Sequence, residues 1–224
     1  FFFLPRRDSV RLVETVVELC KTRLPDKMGI PADELQVPPP TRRGDAGTRS
    51  LNFALQAALN PPKPGKQERR FGELIFREGD RVMQTRNDYD VVWQKEDGTA
   101  GTGIFNGDVG KIAKIDPSGE LLEIVFDDRT ATYTSDMLAE LDMAYAMTVH
   151  KAQGSEYRGV VFVGAPCAPS LMVRGVLYTA ITRARELLVI VGDDSAVNKM
   201  AENDRRSRRY SGLKWRLRKG GEEK

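Results

Sequence analysis

The chain has 224 residues, 40% of them hydrophobic and 30% charged, with a mean hydropathy of −0.43. That is enough to bury one large core or two modest ones, so a disordered or low-complexity chain is excluded, and no apolar run approaches the roughly 20 residues of a membrane span. Two cysteines, Cys20 and Cys167, provide neither a disulfide framework nor a metal-ligand cluster, which predicts a reducing, cytoplasmic setting and no metal site. The net charge of +3 is uneven: residues 199–224 carry ten Lys/Arg against four Asp/Glu, leaving the rest at about −3. The basic tail, with Arg205, Arg206, Arg208, Arg209, Lys214, Arg216, Arg218 and Lys219, suits a phosphate backbone. It suits a solvated C-terminal segment equally well, and charge alone does not decide between them.

Phe1 to Leu4 is too short for a signal peptide and has no basic residues before it. It reads as a strand whose neighbours lie upstream, in a longer chain of which this is a fragment. From Ser9 to Lys21 the apolar spacing through Val10, Leu12, Val13, Val16, Val17, Leu19 and Cys20 predicts a helix capped by Asp8 or Ser9. Glu34 to Val37 is a short strand stopped by Pro38-Pro39-Pro40, and Thr48 to Leu59 is a second helix. The charged loop Thr41 to Gly47 between them sits at a strand's C-terminal end, where open α/β sheets bind ligands.

Asn60 to Arg70 reads as a linker. From Leu74 to Leu141 short β-type runs are predicted at 81–84, 110–115, 121–126 and 129–133, broken by Gly79-Asp80, Asn106-Gly107-Asp108, Asp116 to Gly119 and Asp127-Asp128. This is the pattern of a small antiparallel barrel, with Asp97 to Gly103 as a mobile loop tip. After Leu141 the α/β rhythm returns: strands at 143–149, 160–163 and 187–192, and a helix over 176–185 that carries Arg183. The simplest organisation is one discontinuous α/β domain, residues 1–72 and 141–200, with a barrel at 73–140 and a basic tail at 201–224.

The most specific signal is Thr148-Val149-His150-Lys151-Ala152-Gln153-Gly154-Ser155-Glu156-Tyr157, a strand-to-helix turn bearing hydroxyl, imidazole, ammonium, amide and carboxylate groups. About 20 residues later comes Leu177-Tyr178-Thr179-Ala180-Ile181-Thr182-Arg183-Ala184-Arg185. Alone, a histidine like His150 is more often a satisfied surface or core residue, and a helix arginine usually pairs with a carboxylate. In this order and spacing the two segments resemble motifs V and VI of superfamily 1 helicases. Phe76 to Asp90 and Phe105 to Gly110 resemble the entry to the SH3-like insertion of RecD/TraA-type members, and Arg209 to Leu213 resembles that family's ending.

The resemblance implies a second RecA-like motor domain, of the P-loop NTPase class, carrying an inserted SH3-like β-barrel and working in a 5′-to-3′ ATP-dependent DNA helicase. It implies ATP with Mg²⁺ clamped between two motor domains, and single-stranded DNA running across both. Carried over by motif, Arg183 is the arginine finger, Gln153, Gly154 and Glu156 line the nucleotide, and Gln153 couples nucleotide to DNA. Thr148, His150, Lys151 and Thr179 face DNA, joined by Arg42 and Arg43 of the charged loop and by Arg86 and Asn106 at the barrel's mouth. Pro38-Pro39-Pro40 departs from the family, and Asn106 serves a turn equally well.

No G-x-x-x-x-G-K-[ST] sequence occurs: Gly65-Lys66 and Gly110-Lys111 lack the first glycine and the following hydroxyl. Nor does an Asp-Glu pair follow an apolar strand. Those parts are expected in an upstream motor domain, so the chain alone is predicted inactive towards ATP. The competing reading is a non-catalytic module that binds single strands or docks subunits of a recombination nuclease.

Overall fold

The computed structural model describes residues 1–205, so the basic positions from Arg206 to Lys219 and the segment Arg209 to Leu213 lie outside the described residues. The first stretch comprises β1 (Phe2–Pro5), α1 (Ser9–Glu18), a π-helical turn (Leu19–Arg23), α2 (Leu24–Met28), β2 (Leu35–Gln36) and α3 (Thr48–Leu59). Apart from a 3₁₀ turn (Met137–Glu140) before its last strand, the regular structure of the middle is β: β3 (Glu68–Phe71), β4 (Leu74–Arg77), β5 (Arg81–Gln84), β6 (Asp88–Gln94), β7 (Ala100–Ile104), β8 (Val109–Ile115), β9 (Leu121–Phe126), β10 (Arg129–Thr134) and β11 (Leu141–Met143). The last stretch is α/β again, with β12 (Tyr157–Gly164), α4 (Arg174–Ile181), β13 (Ala184–Gly192) and α5 (Asp194–Glu202).

Four strands make a parallel sheet in the order β1-β13-β12-β2. Its two central strands are apolar on both sides, and the period of two sorts them. Val161, Val163, Val189 and Val191 face a core shared with Leu12, Val16, Leu51 and Leu55 of α1 and α3. Phe162 and Ile190 face Val176, Ala180 and Met200 of α4 and α5. Full burial of each such side chain contributes about 1.5–3 kcal/mol, so a strand swamped on both faces is held firmly between helices. The sheet has the α/β form that the sequence pattern predicts, in keeping with the RecA-like domain that the family resemblance implies.

Phe2–Pro5 is a strand, as expected, and within the chain it pairs with β13, with Phe2 beside Val189 and Phe3 beside Ile190. Two elements depart from expectation. The strand expected over 143–149 is only Leu141–Met143, and it pairs with β5 in the barrel. Beyond it the chain touches the parallel sheet through a single bridge, Val37 to Ala146. The cause is Asn52 of α3, whose amide donates to the Met143 and Ala146 carbonyls and accepts from Ala146 N at 2.7 Å, so these buried backbone groups need no ladder. Finally, the stretch read as a loop tip contains β7, antiparallel to β6. Ile104 is fully buried there, and the Trp93 ring lies where a side chain at Gly101 would stand, 2.4 Å from its Cβ position.

Seven strands form the SH3-like sheet, β11-β5-β8-β9-β10-β6-β7, around Val82, Val91, Ile112, Leu122, Ile124, Phe126 and Tyr133. The hairpin β3-β4 stands apart as its own two-stranded sheet and grows out of the stretch read as linker. Barrel and parallel sheet are joined at Asp80, which is fully buried between them. Its carboxylate accepts from Gln56 Nε2 and Asn60 Nδ2 of and after α3 (both 2.6 Å), from Arg77 N (2.7 Å) and from the Tyr145 hydroxyl (2.8 Å). Burial pushes the Asp80 carboxyl above its usual range, against the pull of those four donors, and burial together with Asp80's charge pushes the Tyr145 hydroxyl up.

Asp80→Asn tests the joint. The substitution removes a buried charge but turns one acceptor into a donor facing donors, and an unsatisfied buried group costs about 1–3 kcal/mol. A lower midpoint in thermal or urea unfolding is expected; an unchanged or raised midpoint would show that the four donors do not depend on the carboxylate.

Candidate functional site

The segment expected to turn from strand into helix is a tight turn that leads directly into β12. Lys151 N and Ala152 N both donate to Thr148 O (2.9 and 3.0 Å), and Gln153 N donates to His150 O (3.3 Å). Val149 and Ala152 are buried, which anchors the turn and leaves His150, Gln153, Gly154, Ser155 and Glu156 exposed. Gly154 has φ of 96°, and nothing lies within 4 Å of where a Cβ would stand, so the surface beside it is open.

Arg183 is placed differently from its expected position within a helix. α4 ends at Ile181, Thr182 caps it, and Arg183 falls on the connection into β13. The reason is local: Ala184 must already pair with Tyr157, so the chain leaves the helix two residues before the strand. The guanidinium is held by three neutral oxygens: Nε to Thr179 O (3.2 Å), Nη1 to Ser155 O (3.1 Å) and Nη2 to Thr182 Oγ1 (3.1 Å). Its own carbonyl accepts from Tyr157 N at 2.8 Å. No carboxylate lies within ion-pair distance of it among the described residues. A fixed, planar cation whose charge is not neutralised is suited to an anionic ligand.

The start of the turn meets the charged loop. Met147 N donates to Val37 O and Val149 N to Pro39 O, which puts Thr148 to Lys151 beside Thr41 to Arg43. Asp142 takes both Arg42 (Nη2 at 2.9 Å) and Lys151 (Nζ at 3.6 Å). Two cations on one carboxylate leave a positive surplus, and burial with the nearby Arg42 charge pulls the Lys151 ammonium below its usual value. Arg43 is exposed and has no carboxylate partner among the described residues. Thr48 N and Arg49 N donate back to Thr41 O and Arg42 O, folding the loop onto α3.

One turn therefore brings together Thr148, His150, Lys151, Arg42 and Arg43 at its beginning, and Gln153, Gly154, Glu156 and Arg183 at its end. Thr179 belongs with the second group, its carbonyl on Arg183 and its hydroxyl on Gly175 O at 2.8 Å. Arg86 and Asn106 lie elsewhere, on the barrel: Arg86 pairs with the buried Glu140, and Asn106 N donates to Asn87 Oδ1 at 3.0 Å. Sequence reasoning missed Asp142, Ser155 and Tyr157 as organisers, because their roles rest on backbone and long-range contacts. No group of three or more His, Cys, Asp or Glu arranged to hold a metal occurs among the described residues, and no described helix is long and apolar enough to cross a membrane.

Residues 51–126 match the family "ATP-dependent RecD-like DNA helicase SH3 domain", and residues 143–191 match the "UvrD-like helicase C-terminal domain". The chain is 37% identical over 174 residues to the ATP-dependent RecD2 DNA helicase of Deinococcus radiodurans, covering 78% of this chain and 22% of that protein. It is 31% identical over 183 residues to the RecBCD enzyme subunit RecD of Mycolicibacterium smegmatis, covering 80% of this chain and 28% of the relative. A crystal structure of Bacteroides Pif1 bound to ssDNA aligns over 97% of this chain and 55% of that one, at 16% identity and a TM-score of 0.48. A parallel α/β sheet and an SH3-like barrel with these matched segments define part of a DNA helicase. The chain belongs to the RecD-type superfamily 1 helicases, as a C-terminal region. It spans about a quarter of the length of these curated relatives.

The loop's fold has a sharp steric test. A Cβ at Gly47 would stand 2.6–2.8 Å from the backbone of Arg42 and Arg43, which cannot give without moving the loop. Gly47→Ala is expected to cost about 1–3 kcal/mol in unfolding experiments. It should also raise the protease sensitivity of the 41–47 segment, and a wild-type cleavage pattern would contradict this packing.

Proposed function

We propose that this chain is the C-terminal motor half of an ATP-dependent 5′-to-3′ DNA helicase that moves on single-stranded DNA, residues 1–72 and 141–200 forming one motor domain around a barrel at 73–140. The observation that carries the reading is Arg183: a guanidinium set by three neutral oxygens beside an open turn, with no carboxylate to quench it among the described residues. The surroundings leave room for a nucleotide, since Gly154 leaves open surface and the exposed Glu156 beside it can accept hydrogen bonds from a sugar hydroxyl. ATP with Mg²⁺, held mainly by an upstream motor domain, supplies the phosphoryl group. Arg183 acts as the finger that meets the charge gathering on that group, while Gln153, Gly154 and Glu156 shape the nucleotide side.

On the other side of the turn, Arg42, Arg43 and Lys151 bind phosphates without reading bases, and Thr148 and His150 add hydrogen bonds. Gln153, whose backbone N–H donates to His150 O of the first group, couples the two. Direction of travel follows the family resemblance, as does an internal, cytoplasmic place of work. A second reading, a docking surface for nuclease subunits, is favoured on the barrel by the exposed pair Tyr89 and Phe105, 5.6 Å apart edge to face beside Asp88 and Asp90.

In a protein joining this chain to a phosphate-loop motor domain, Arg183→Ala is expected to cut DNA-stimulated ATP hydrolysis about 10³-fold or more, with DNA affinity within twofold. Intact turnover would remove the finger assignment. The 224-residue chain by itself, lacking a phosphate-binding loop, is expected to show no turnover above background. For DNA, Arg43→Ala and Lys151→Ala should each flatten the dependence of log affinity on log salt by about one unit, and unchanged slopes would place the strand elsewhere.

A further inference from the structure

Between α3, the tip of the β3-β4 hairpin and the segment 138–143 lies a cleft of about 580 Å³. It opens beside Arg42 and Arg43, yet most of its wall belongs to residues with no part in the turn described above. Along α3 the spacing puts Arg49, Asn52, Phe53 and Gln56 on one side of the helix, while Leu51 and Leu55 serve the core. Phe53 is therefore surplus to core packing, and it is 41% exposed. Across the cleft the hairpin tip carries Phe71, 36% exposed, held towards α3 by the ion pair of Arg49 with Glu73.

The floor is polar and already ordered. Asn52 is more than nine-tenths buried and fixed by Met143 and Ala146, and Gln56 is equally buried with its nitrogen committed to Ile75 O (2.7 Å) and Asp80. No hydrogen bond reaches the Gln56 amide oxygen among the described residues. Three arginines, Arg42, Arg43 and Arg49, meet only two carboxylates, Asp142 and Glu73, so the rim keeps a positive surplus. Two exposed aromatic rings, a preset polar floor and a cationic rim are complementary to a flat π system that carries a phosphate.

We propose that this cleft takes one unpaired base of the single strand, stacked against Phe53 and Phe71 with its flanking phosphate on Arg43. The proposal rests on the reading that Arg42 and Arg43 face DNA, and it adds a fixed anchor to contacts that otherwise slide along a backbone. An anchor between motor sheet and barrel would hold the strand against slippage.

The test uses the 224-residue chain at low ionic strength and an oligothymidylate with a single 2-aminopurine placed at successive positions. Quenching at one position is expected in the wild type. Phe53→Leu and Phe71→Leu should lose it and weaken binding about five- to tenfold, whereas Phe53→Trp, which restores a stacking surface, should keep both. If the leucine variants bind and quench like wild type while Arg43→Ala weakens binding, the strand passes the cleft by. That result overturns this inference alone and is also the one expected if the cleft instead holds an apolar side chain of a partner protein. Loss in the tryptophan variant equal to that in the leucine variant overturns stacking. Failure of the wild-type chain to bind at all overturns the DNA reading, and this inference with it.

Discussion

The buried carboxylate of Asp80 is the constraint on which the arrangement of the two sheets depends. A carboxylate taken out of water is tolerated only when its lone pairs are filled, and here four donors fill them from three places in the chain. Gln56 and Asn60 come from the end of α3, Arg77 from the hairpin, and Tyr145 from the crossing back to the parallel sheet. None of the four can move far without stranding a charge. The two connections between the α/β sheet and the barrel are thereby tied to one point, and Arg77 adds a second tie by donating to Asn60 O. The cleft beside α3 inherits its shape from this joint, because Gln56 belongs to both.

A joint of this kind lets one short turn serve two neighbours. Asn52 settles the backbone of 143–146, the loop 41–43 lies alongside the next residues, and β12 then begins at Tyr157. Tyr157 is gripped from both sides: Arg183 O takes its amide, and the Arg81 guanidinium lies 5.7 Å over its ring. Arg81 starts β5 of the barrel and donates to Leu35 O on β2, so a displacement of the barrel would be felt at the strand that carries Arg183's neighbour.

Much of this was legible in the sequence, and the physical reasons for the failures are consistent. Strands β5, β8, β9 and β10 and helices α1 and α3 emerged where apolar periodicity and turn residues agreed, and the α/β sheet followed from runs apolar on both faces. What failed was decided by long-range contacts. Gly101 looks like a loop residue until Trp93 is known to lie across it, and 143–149 looks like a strand until Asn52 is known to hold its backbone. The partner of β1 lies more than 180 residues away, beyond any local pattern. The candidate site residues were named through motif order, but the organisers Asp142, Ser155 and Tyr157 act through a shared charge, a carbonyl and an amide, which leave no signature in composition.

The molecule also contains its own comparison for Arg183. Arg158, on the same sheet, has Glu186 at 2.8 Å and Glu34 at 3.2 Å, two carboxylates that neutralise it and raise its pKa. It joins β12 to β13 and to the segment before β2, and its charge is spent there. Arg174 is satisfied by the carbonyls that end α5, where a cation is favoured by the helix dipole. Arg183 shares one feature with Arg174, a carbonyl from the last turn of a helix (Thr179 O of α4), but adds the Ser155 carbonyl from the open turn and the Thr182 hydroxyl, and these three neutral partners fix the plane of the guanidinium without cancelling its charge. A structural arginine gains most from a carboxylate, and exposed carboxylates are plentiful in this chain, Glu156 among them. Positioning without neutralisation serves recognition of an incoming anion well, and Arg183, unlike Arg158 with its two carboxylates or Arg174 at the end of α5, holds its charge beside the open turn at Gly154, which is why it carries the functional reading.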